Sequence, residues 1–206
     1  MNMPLRRLAL LLFWALPVAA LAAETFVARE KIAPVLQRCL DSDASWSMEK
    51  RSPGEIQPLV STGTVSCAKG QGVAWQTLSP FPALTRITPL WRITEEEGIC
   101  TTNSLAELPH YEQVHAFVEA LSEGDSSALE THFLVLAETT DHGTWSLTLT
   151  PRNSRVKRFF STIVLSGAES VEQAVMTSED GSATVIRFSQ QGVGAHSLWP
   201  EKGSGE

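Results

Sequence analysis

The sequence contains few of the residues that build reactive sites. Of its 206 residues, three are cysteine, five are histidine and one is tyrosine. It has no C-x-x-C pair, which argues against a thiol redox site or a thiolate zinc site. The histidines lack H-x-x-x-H spacing, and no G-x-S-x-G, P-loop or dinucleotide motif occurs. We therefore expect no catalytic residues, no metal and no cofactor, although distant residues can still assemble a catalytic triad.

Positive charge is also scarce. The chain has 16 lysines and arginines against 23 acidic residues, a formal net charge of −7 at pH 7. An acidic chain lacks the electrostatic footprint for nucleic acid and is repelled by anionic lipid headgroups. We expect no nucleic-acid partner and a monomer that diffuses freely.

The N-terminus predicts export. Arg6 and Arg7 precede an apolar run over residues 8–16, followed by Pro17 and a small-residue end over 19–23. This order is typical of a cleaved secretory signal peptide, and the run is too short for a membrane anchor of about 20 apolar residues. We assign residues 1–23 to the signal. Its removal takes the net charge to −9 and predicts, in a Gram-negative cell, a periplasmic protein.

Export would place the three cysteines in an oxidising compartment. Cys39 falls in a predicted helix, whereas Cys67 and Cys100 fall in predicted strands. A Cys67–Cys100 bridge is one interpretation. Three buried thiols that act as small hydrophobic residues are the other.

Residues 59–88 are the most informative segment. Two extended runs, 59–69 and 73–78, are split by Gly70 and Gly72 and closed by Ser79-Pro-Phe-Pro82. Val65 and Trp75 each lie on one face of their run, because side chains alternate along a strand. The pattern predicts a β-hairpin that presents Trp75 to an apolar interior.

The rest of the mature chain alternates mostly between strands and turns. Further strands are predicted at 46–51, 86–94 with a break at Pro89, 99–101, 133–138, 144–150, 156–165, 171–178 and 183–189. Apolar residues at helical spacing predict helices over 26–40 and 114–121, and a short third helix capped by Asp125 or Ser126 leads towards Phe133. We expect one domain over 24–190, an α+β fold whose antiparallel sheet is covered by helices. Residues 191–206 are expected to fray.

Aromatic residues from separate elements would all face one interior. They either fill a packed core or line a cavity for an apolar ligand. The second interpretation gives a set of cavity-lining candidates: Trp46, Val65, Trp75, Phe81, Ile87, Trp91, Phe117, Leu121, Phe133, Trp145, Leu147 and Phe160.

Several motifs in order resemble a known family. They are Trp46-x-Met-x-Lys50, Gly72-Val-Ala-Trp75 with Ser79-Pro-Phe81, Leu121-Ser-Glu-Gly-Asp125, Trp145-x-Leu-x-Leu-x-Pro151-Arg152, and Asp180-Gly181 followed by Phe188. Together they resemble the outer-membrane lipoprotein carrier (LolA) family, in particular its divergent LolA-like branch. One departure is the turn Lys69-Gly-Gln-Gly72, where well-understood carriers have Arg-Pro. Another is Met48, which stands where the family has glutamine.

The resemblance implies a fold and a function. The fold would be an unclosed antiparallel β-barrel, a strongly curved sheet, with a small α-helical lid. The function would be that of a carrier or chaperone that shields the acyl chains of a lipoprotein, or of another lipidic molecule, between an inner-membrane donor and an outer-membrane acceptor protein. A protein-binding regulatory sensor of the same fold, like those that bind an anti-sigma factor, is the alternative.

Overall fold

The strands among the described residues form one antiparallel sheet. A computed structural model describes residues 43–68, 70–107, 113, 115, 127–139, 143–190 and 198–199. The strands are β1 Ala44–Arg51, β2 Leu59–Ala68, β3 Gly72–Ser79, β4 Ala83–Ile87, β5 Trp91–Glu96, β6 Ile99–Ser104, β7 Phe133–Thr139, β8 Trp145–Pro151, β9 Thr162–Gly167, β10 Val171–Thr177 and β11 Ala183–Gln190. A 3-10 turn spans Leu105–Glu107, and helix α1 spans Ser127–His132. The signal segment and the helices predicted at 26–40 and 114–121 lie outside the described residues, apart from the isolated position His115.

The strand order shows how the sheet is assembled. It reads β6-β5-β4-β3-β2-β1-β11-β10-β9-β8-β7. Each half is a meander of successive hairpins, and the antiparallel pairing of β1 with β11 joins the two halves. Within the described residues β6 and β7 are the two edges, so the sheet is open, as the unclosed fold predicted. In this part of the chain no helix is long and apolar enough to span a membrane.

Strand β8 shows how the sequence produces the sheet. Trp145, Leu147 and Leu149 are buried, and the polar residues between them are half-buried. Alternation with a period of two places every apolar side chain on one face. This strand was predicted at 144–150, and the structure confirms it.

The hairpin predicted at residues 59–78 is also confirmed. β2 pairs with β3 in a register that opposes Val65 to Trp75. Gly70 and Gly72 both have positive φ, at 70° and 118°. A Cβ on Gly72 would overlap the carbonyl oxygen of Ile87 on β4, so this turn requires glycine on both counts.

Two strand boundaries differ from the prediction. The interrupted strand predicted at 86–94 is a hairpin of two strands, with β4 ending at Ile87 and β5 beginning at Trp91. The strand predicted at 156–165 begins only at Thr162, because the preceding residues form turns. The carbonyl of Asn153 accepts from Val156 N at 3.1 Å, and its side chain accepts from Arg155 N at 2.9 Å. A local side-chain bond of this kind competes with strand pairing.

The cysteine bridge considered above does not form. Cys67 lies in β2 and Cys100 in β6, and three strands stand between them. Neighbouring strands are about 4.8 Å apart, whereas bridged cysteines need Cα atoms within about 7 Å. The two residues therefore cannot pair in this fold.

Helix α1 was predicted and is present. Its Leu129 is 1% exposed and belongs to the main apolar cluster of the sheet. Arg152, just after β8, holds the end of the helix. Its Nε donates to the carbonyl oxygens of Glu130 and Phe133, both at 3.0 Å. A cationic donor satisfies carbonyls that the end of a helix leaves without partners.

Candidate functional site

One face of the sheet carries most of the apolar side chains. Residues paired directly across an antiparallel sheet point to the same face. Trp46 on β1 is paired with Phe188 on β11 and with Gly63 on β2. The next row on this face pairs Val65 with Trp75. We call this face of the sheet, defined by Trp46 and Trp75, the tryptophan face.

The tryptophan face holds an apolar cluster that extends from β7 to β3. Its buried members are Trp46, Leu129, Phe133, Trp145, Leu147, Leu149, Ile163, Leu165, Ala174 and Ile186. Partly buried residues pack against them: Met48, Val65, Trp75, Val135, Phe160, Val171, Met176 and Phe188. Apart from the three indole N–H groups of Trp46, Trp75 and Trp145, these side chains offer no hydrogen-bond donor. The cluster can therefore select a partner by shape and apolar area rather than by directional bonds.

Aromatic contacts organise the centre of this face. The rings of Trp46 and Trp75 stack with centroids 4.5 Å apart, and Phe188 meets Trp75 edge-on at 6.3 Å. Trp145 Nε1 donates to the carbonyl of Ala168 at 2.9 Å. Trp46 Nε1, in contrast, is enclosed without a hydrogen-bond partner within the described chain. A buried donor of this kind favours any acceptor brought next to it.

Of the twelve predicted site residues, eight lie on or beside this face. Trp46, Phe133, Trp145 and Leu147 are buried cluster members, and Val65, Trp75 and Phe160 pack against them. Ile87 lies on the same face one row further. It pairs with Val73, which is two residues before Trp75 on β3 and therefore points to the same side.

The structure does not bring two of the others to the tryptophan face. Phe81 is 72% exposed in the connection between β3 and β4. Trp91 is 46% exposed and points to the opposite face, because its neighbour Arg92 pairs with Ile87. The last two residues, Phe117 and Leu121, lie outside the described part of the chain.

Several cluster members were not among the predicted residues. They include Met48, Leu149, Ile163, Leu165, Met176, Ile186 and Phe188. The signal was present in the sequence, because Ile163 and Leu165, and likewise Ile186 and Phe188, alternate with other side chains. A prediction that starts from aromatic residues passes over such aliphatic positions.

The tryptophan face becomes polar towards its β6 edge. The row of Val65 and Trp75 continues through Thr85 and Thr94 to Thr101. The hydroxyl oxygens of Thr85 and Thr94 lie 3.4 Å apart, in agreement with this register. A groove of about 310 Å³ lies here, lined by Arg92, Thr94, Glu96, Glu97, Ile99, Thr101 and Asn103. The face is therefore amphipathic, with an apolar centre and a polar end.

The opposite face of the sheet carries charged side chains that form ion pairs. Arg86 Nη1 lies 2.6 Å from Glu95 Oε1, and Arg86 Nε donates to the carbonyl of Leu198 at 3.0 Å. Leu198 belongs to the C-terminal segment that was expected to fray. Further along this face, Arg187 lies 3.3 Å from Glu49. Among the described residues, no group of His, Cys, Asp and Glu is arranged to hold a metal ion.

Comparison with known proteins gives a match to one family model and to several solved structures of low sequence identity. Residues 32–182 match the family model described as outer membrane lipoprotein carrier protein LolA-like. No curated protein gives a significant match.

Three solved structures are among those that match this chain. A LolA superfamily protein from Nitrosomonas europaea is 10% identical, with a TM-score of 0.46 over 81% of this chain and 91% of that one. A putative outer membrane lipoprotein-sorting protein domain from Vibrio parahaemolyticus is 12% identical, with a TM-score of 0.43 over 85% and 95%. A chain of the MucA/MucB complex from Pseudomonas aeruginosa is 11% identical, with a TM-score of 0.39 over 82% of this chain and 59% of that one.

The family match covers most of the sequence, and the open antiparallel sheet agrees with the resemblance drawn from the motifs. The chain belongs to the family described as outer membrane lipoprotein carrier protein LolA-like.

Proposed function

We propose that this protein is a periplasmic carrier that shields the acyl chains of a lipoprotein, or of another lipidic molecule, on its way to the outer membrane. The observation that carries the proposal is the continuous apolar cluster of the tryptophan face, which has no catalytic group among its members. Membership of the LolA-like family supports it. An inner-membrane donor and an outer-membrane acceptor protein complete the proposed route.

The energetics of such binding need no polar recognition. Each CH₂ group removed from water contributes about 0.8 kcal/mol, so ten buried groups amount to about 8 kcal/mol before the costs of association. An acyl chain has no directional groups along its length. The tryptophan face, with its aromatic rings and its two methionines Met48 and Met176, offers a surface of matching chemistry.

The direct experiment is uptake of a fluorescent fatty acid by the purified mature protein. Trp75→Glu places a charge on the tryptophan face and is expected to abolish uptake. Gln76→Glu is the matched control, because it adds the same charge at the next residue on the opposite face. Thermal melts of both variants separate loss of binding from loss of fold, and Trp75→Gln provides a milder second variant.

Native mass spectrometry of the protein isolated from its own periplasm identifies the cargo. A bound lipid or acylated protein supports the proposal. Equal uptake by the Trp75→Glu and Gln76→Glu variants contradicts it. A bound protein without any acyl chain favours the regulatory-sensor alternative.

A further inference from the structure

The polar end of the tryptophan face contains a cation, Arg92, with a buried nitrogen that has no hydrogen-bond partner among the described residues. Arg92 is half-buried on β5, and its Nε is enclosed without a hydrogen-bond partner in the described chain. Arg86, on the neighbouring strand but on the opposite face, is in contrast paired with both Glu95 and the carbonyl of Leu198. Arg86 therefore has its hydrogen-bond acceptors, whereas the Nε of Arg92 has none among the described residues. Only Arg92 lies in a groove with capacity for a further acceptor.

The side chains next to Arg92 are donors. Asn103 pairs directly with Arg92 across β5 and β6, and the adjacent row pairs Thr94 with Thr101. An amide and two hydroxyls can each donate a hydrogen bond, and the guanidinium can donate several in a fixed plane. An oxyanion offers the acceptors that such a set of donors requires.

The two carboxylates among the residues that line the groove, Glu96 and Glu97, lie at the end of the groove away from Arg92. Glu96 is four residues along β5 from Arg92, so their Cα atoms are about 13 Å apart. Glu96 and Glu97 are both exposed at the β5–β6 turn, where water and salt weaken their effect. Among the lining residues, the charge at this end of the groove is therefore the positive charge of Arg92.

We propose that this end of the groove is a subsite for the oxyanion headgroup, a carboxylate or a phosphate, of an amphiphile whose chain lies on the apolar part of the tryptophan face. The proposal rests on the proposed function and adds the class of headgroup. The groove continues the row of Trp75, so one molecule can contact both parts. Its volume of about 310 Å³ lies at the lower end of ligand sites, roughly 300–1,000 Å³, which suits a headgroup rather than a whole lipid.

The test compares ligands that share one chain and differ in the headgroup. Decanoic acid, decyl phosphate and decyl glucoside are titrated against the mature protein below their micellar concentrations, at a pH where both acids are ionised. The wild type is expected to prefer the two anionic ligands over the glucoside by about tenfold, roughly the effect of one charge-assisted hydrogen bond. Higher salt reduces this preference. The ratio of decanoic acid to decyl phosphate affinity shows which oxyanion the subsite favours.

Variants assign the preference to Arg92. Arg92→Met is expected to remove it without weakening the glucoside, and Arg92→Lys to retain part of it. Arg187→Met is the matched control, because it removes one positive charge from the opposite face. Glu96→Gln is expected to tighten the anionic ligands by about twofold, as loss of an exposed repulsive charge predicts. If Arg92→Met does not fold, Thr101→Val and its outward-facing neighbour Thr102→Val repeat the comparison.

Four outcomes overturn the proposal. Glucoside binding as tight as that of the anionic ligands removes the headgroup preference but leaves the acyl-carrier function intact. Equal effects of Arg92→Met and Arg187→Met would show that the preference for anionic ligands follows the net charge of the protein rather than a subsite at Arg92. Inorganic phosphate that displaces decyl phosphate at equal concentration shows a free-anion site rather than a headgroup subsite. Failure of all three decyl ligands to bind removes this proposal and the proposed function together.

Discussion

Trp46 and Trp75 stack above Gly63, although their strands β1 and β3 are not neighbours. Gly63 lies on the strand between them, directly paired with Trp46. A Cβ at Gly63 would lie 2.6 Å from the indole ring of Trp46 and would overlap the carbonyl oxygen of Gln76. The aromatic contact at the centre of the tryptophan face therefore depends on the absence of a side chain at this position.

Gly63→Ala is accordingly expected to destabilise the protein by about 3 kcal/mol or more, at the upper end for an overpacked site, because backbone as well as side chain must move. Urea unfolding measures the change. Thr62→Ala is the control, since Thr62 is exposed on the opposite face and its loss should cost less than about 0.5 kcal/mol. Equal stability of the two variants would show that the contact adjusts without cost.

Leu129→Ala tests how firmly α1 is anchored. Leu129 is 1% exposed within the cluster, so its truncation should cost about 2–5 kcal/mol. Leu134→Ala makes the same chemical change at a position that is 60% exposed on β7, and should cost less than about 0.5 kcal/mol. Thermal or denaturant unfolding of both proteins gives the comparison. A small loss for Leu129→Ala would mean that the helix contributes little to the core.

Arg152→Met removes the side-chain bonds to the carbonyls of Glu130 and Phe133. Arg152 is exposed, so the expected loss of stability is about 1 kcal/mol. Amide hydrogen exchange should accelerate in α1 more than in β8, because the bonds act on the end of the helix. Arg155→Met, at an exposed position three residues later, serves as the control. Uniform acceleration in both elements would argue against a local role for Arg152.

Asp180 gives a prediction for pH. Its carboxylate accepts from Ser182 N at 2.8 Å and from Ser182 Oγ at 2.9 Å, and these bonds hold its pKa below the ordinary value of 3.8. A carboxylate with a lowered pKa stabilises the fold above its ordinary pKa and loses this effect as the pH falls through the folded value. The melting temperature of the wild type should therefore be higher than that of the Asp180→Asn variant at neutral pH. This difference in melting temperature should shrink below pH 3.8. A difference that does not change with pH would refute this assignment.

The sequence predicted best those elements whose two faces differ clearly. Trp145, Leu147 and Leu149 alternate with hydroxyl residues, and their strand appears where expected. The hairpin of Val65 and Trp75 was found because its glycines mark the turn. In these segments the local pattern and the tertiary packing favour the same structure.

The polar end of the face could not be predicted in this way. Trp91 and Ile93 alternate with Arg92 and Thr94, which suggests that the apolar pair faces the interior. The register of β4 decides otherwise, because Ile87 on the tryptophan face pairs with Arg92. Alternation shows which residues share a face but not which face they share. That choice depends on pairing with a neighbouring strand, and the sequence pattern of one strand does not contain it.

The open strand order has a consequence for the proposed carrier function. In a closed barrel, the number of strands and their stagger determine the diameter, and a wider ligand would have to break strand pairing. In this sheet the hydrogen-bonded order ends at β6 and β7, and no pairing among the described residues joins them. The separation of these edges can change by twist and bend of the strands while every ladder bond between neighbours is kept. If the protein is a carrier as proposed, elasticity of the sheet rather than a fixed radius would then set the width of the cargo.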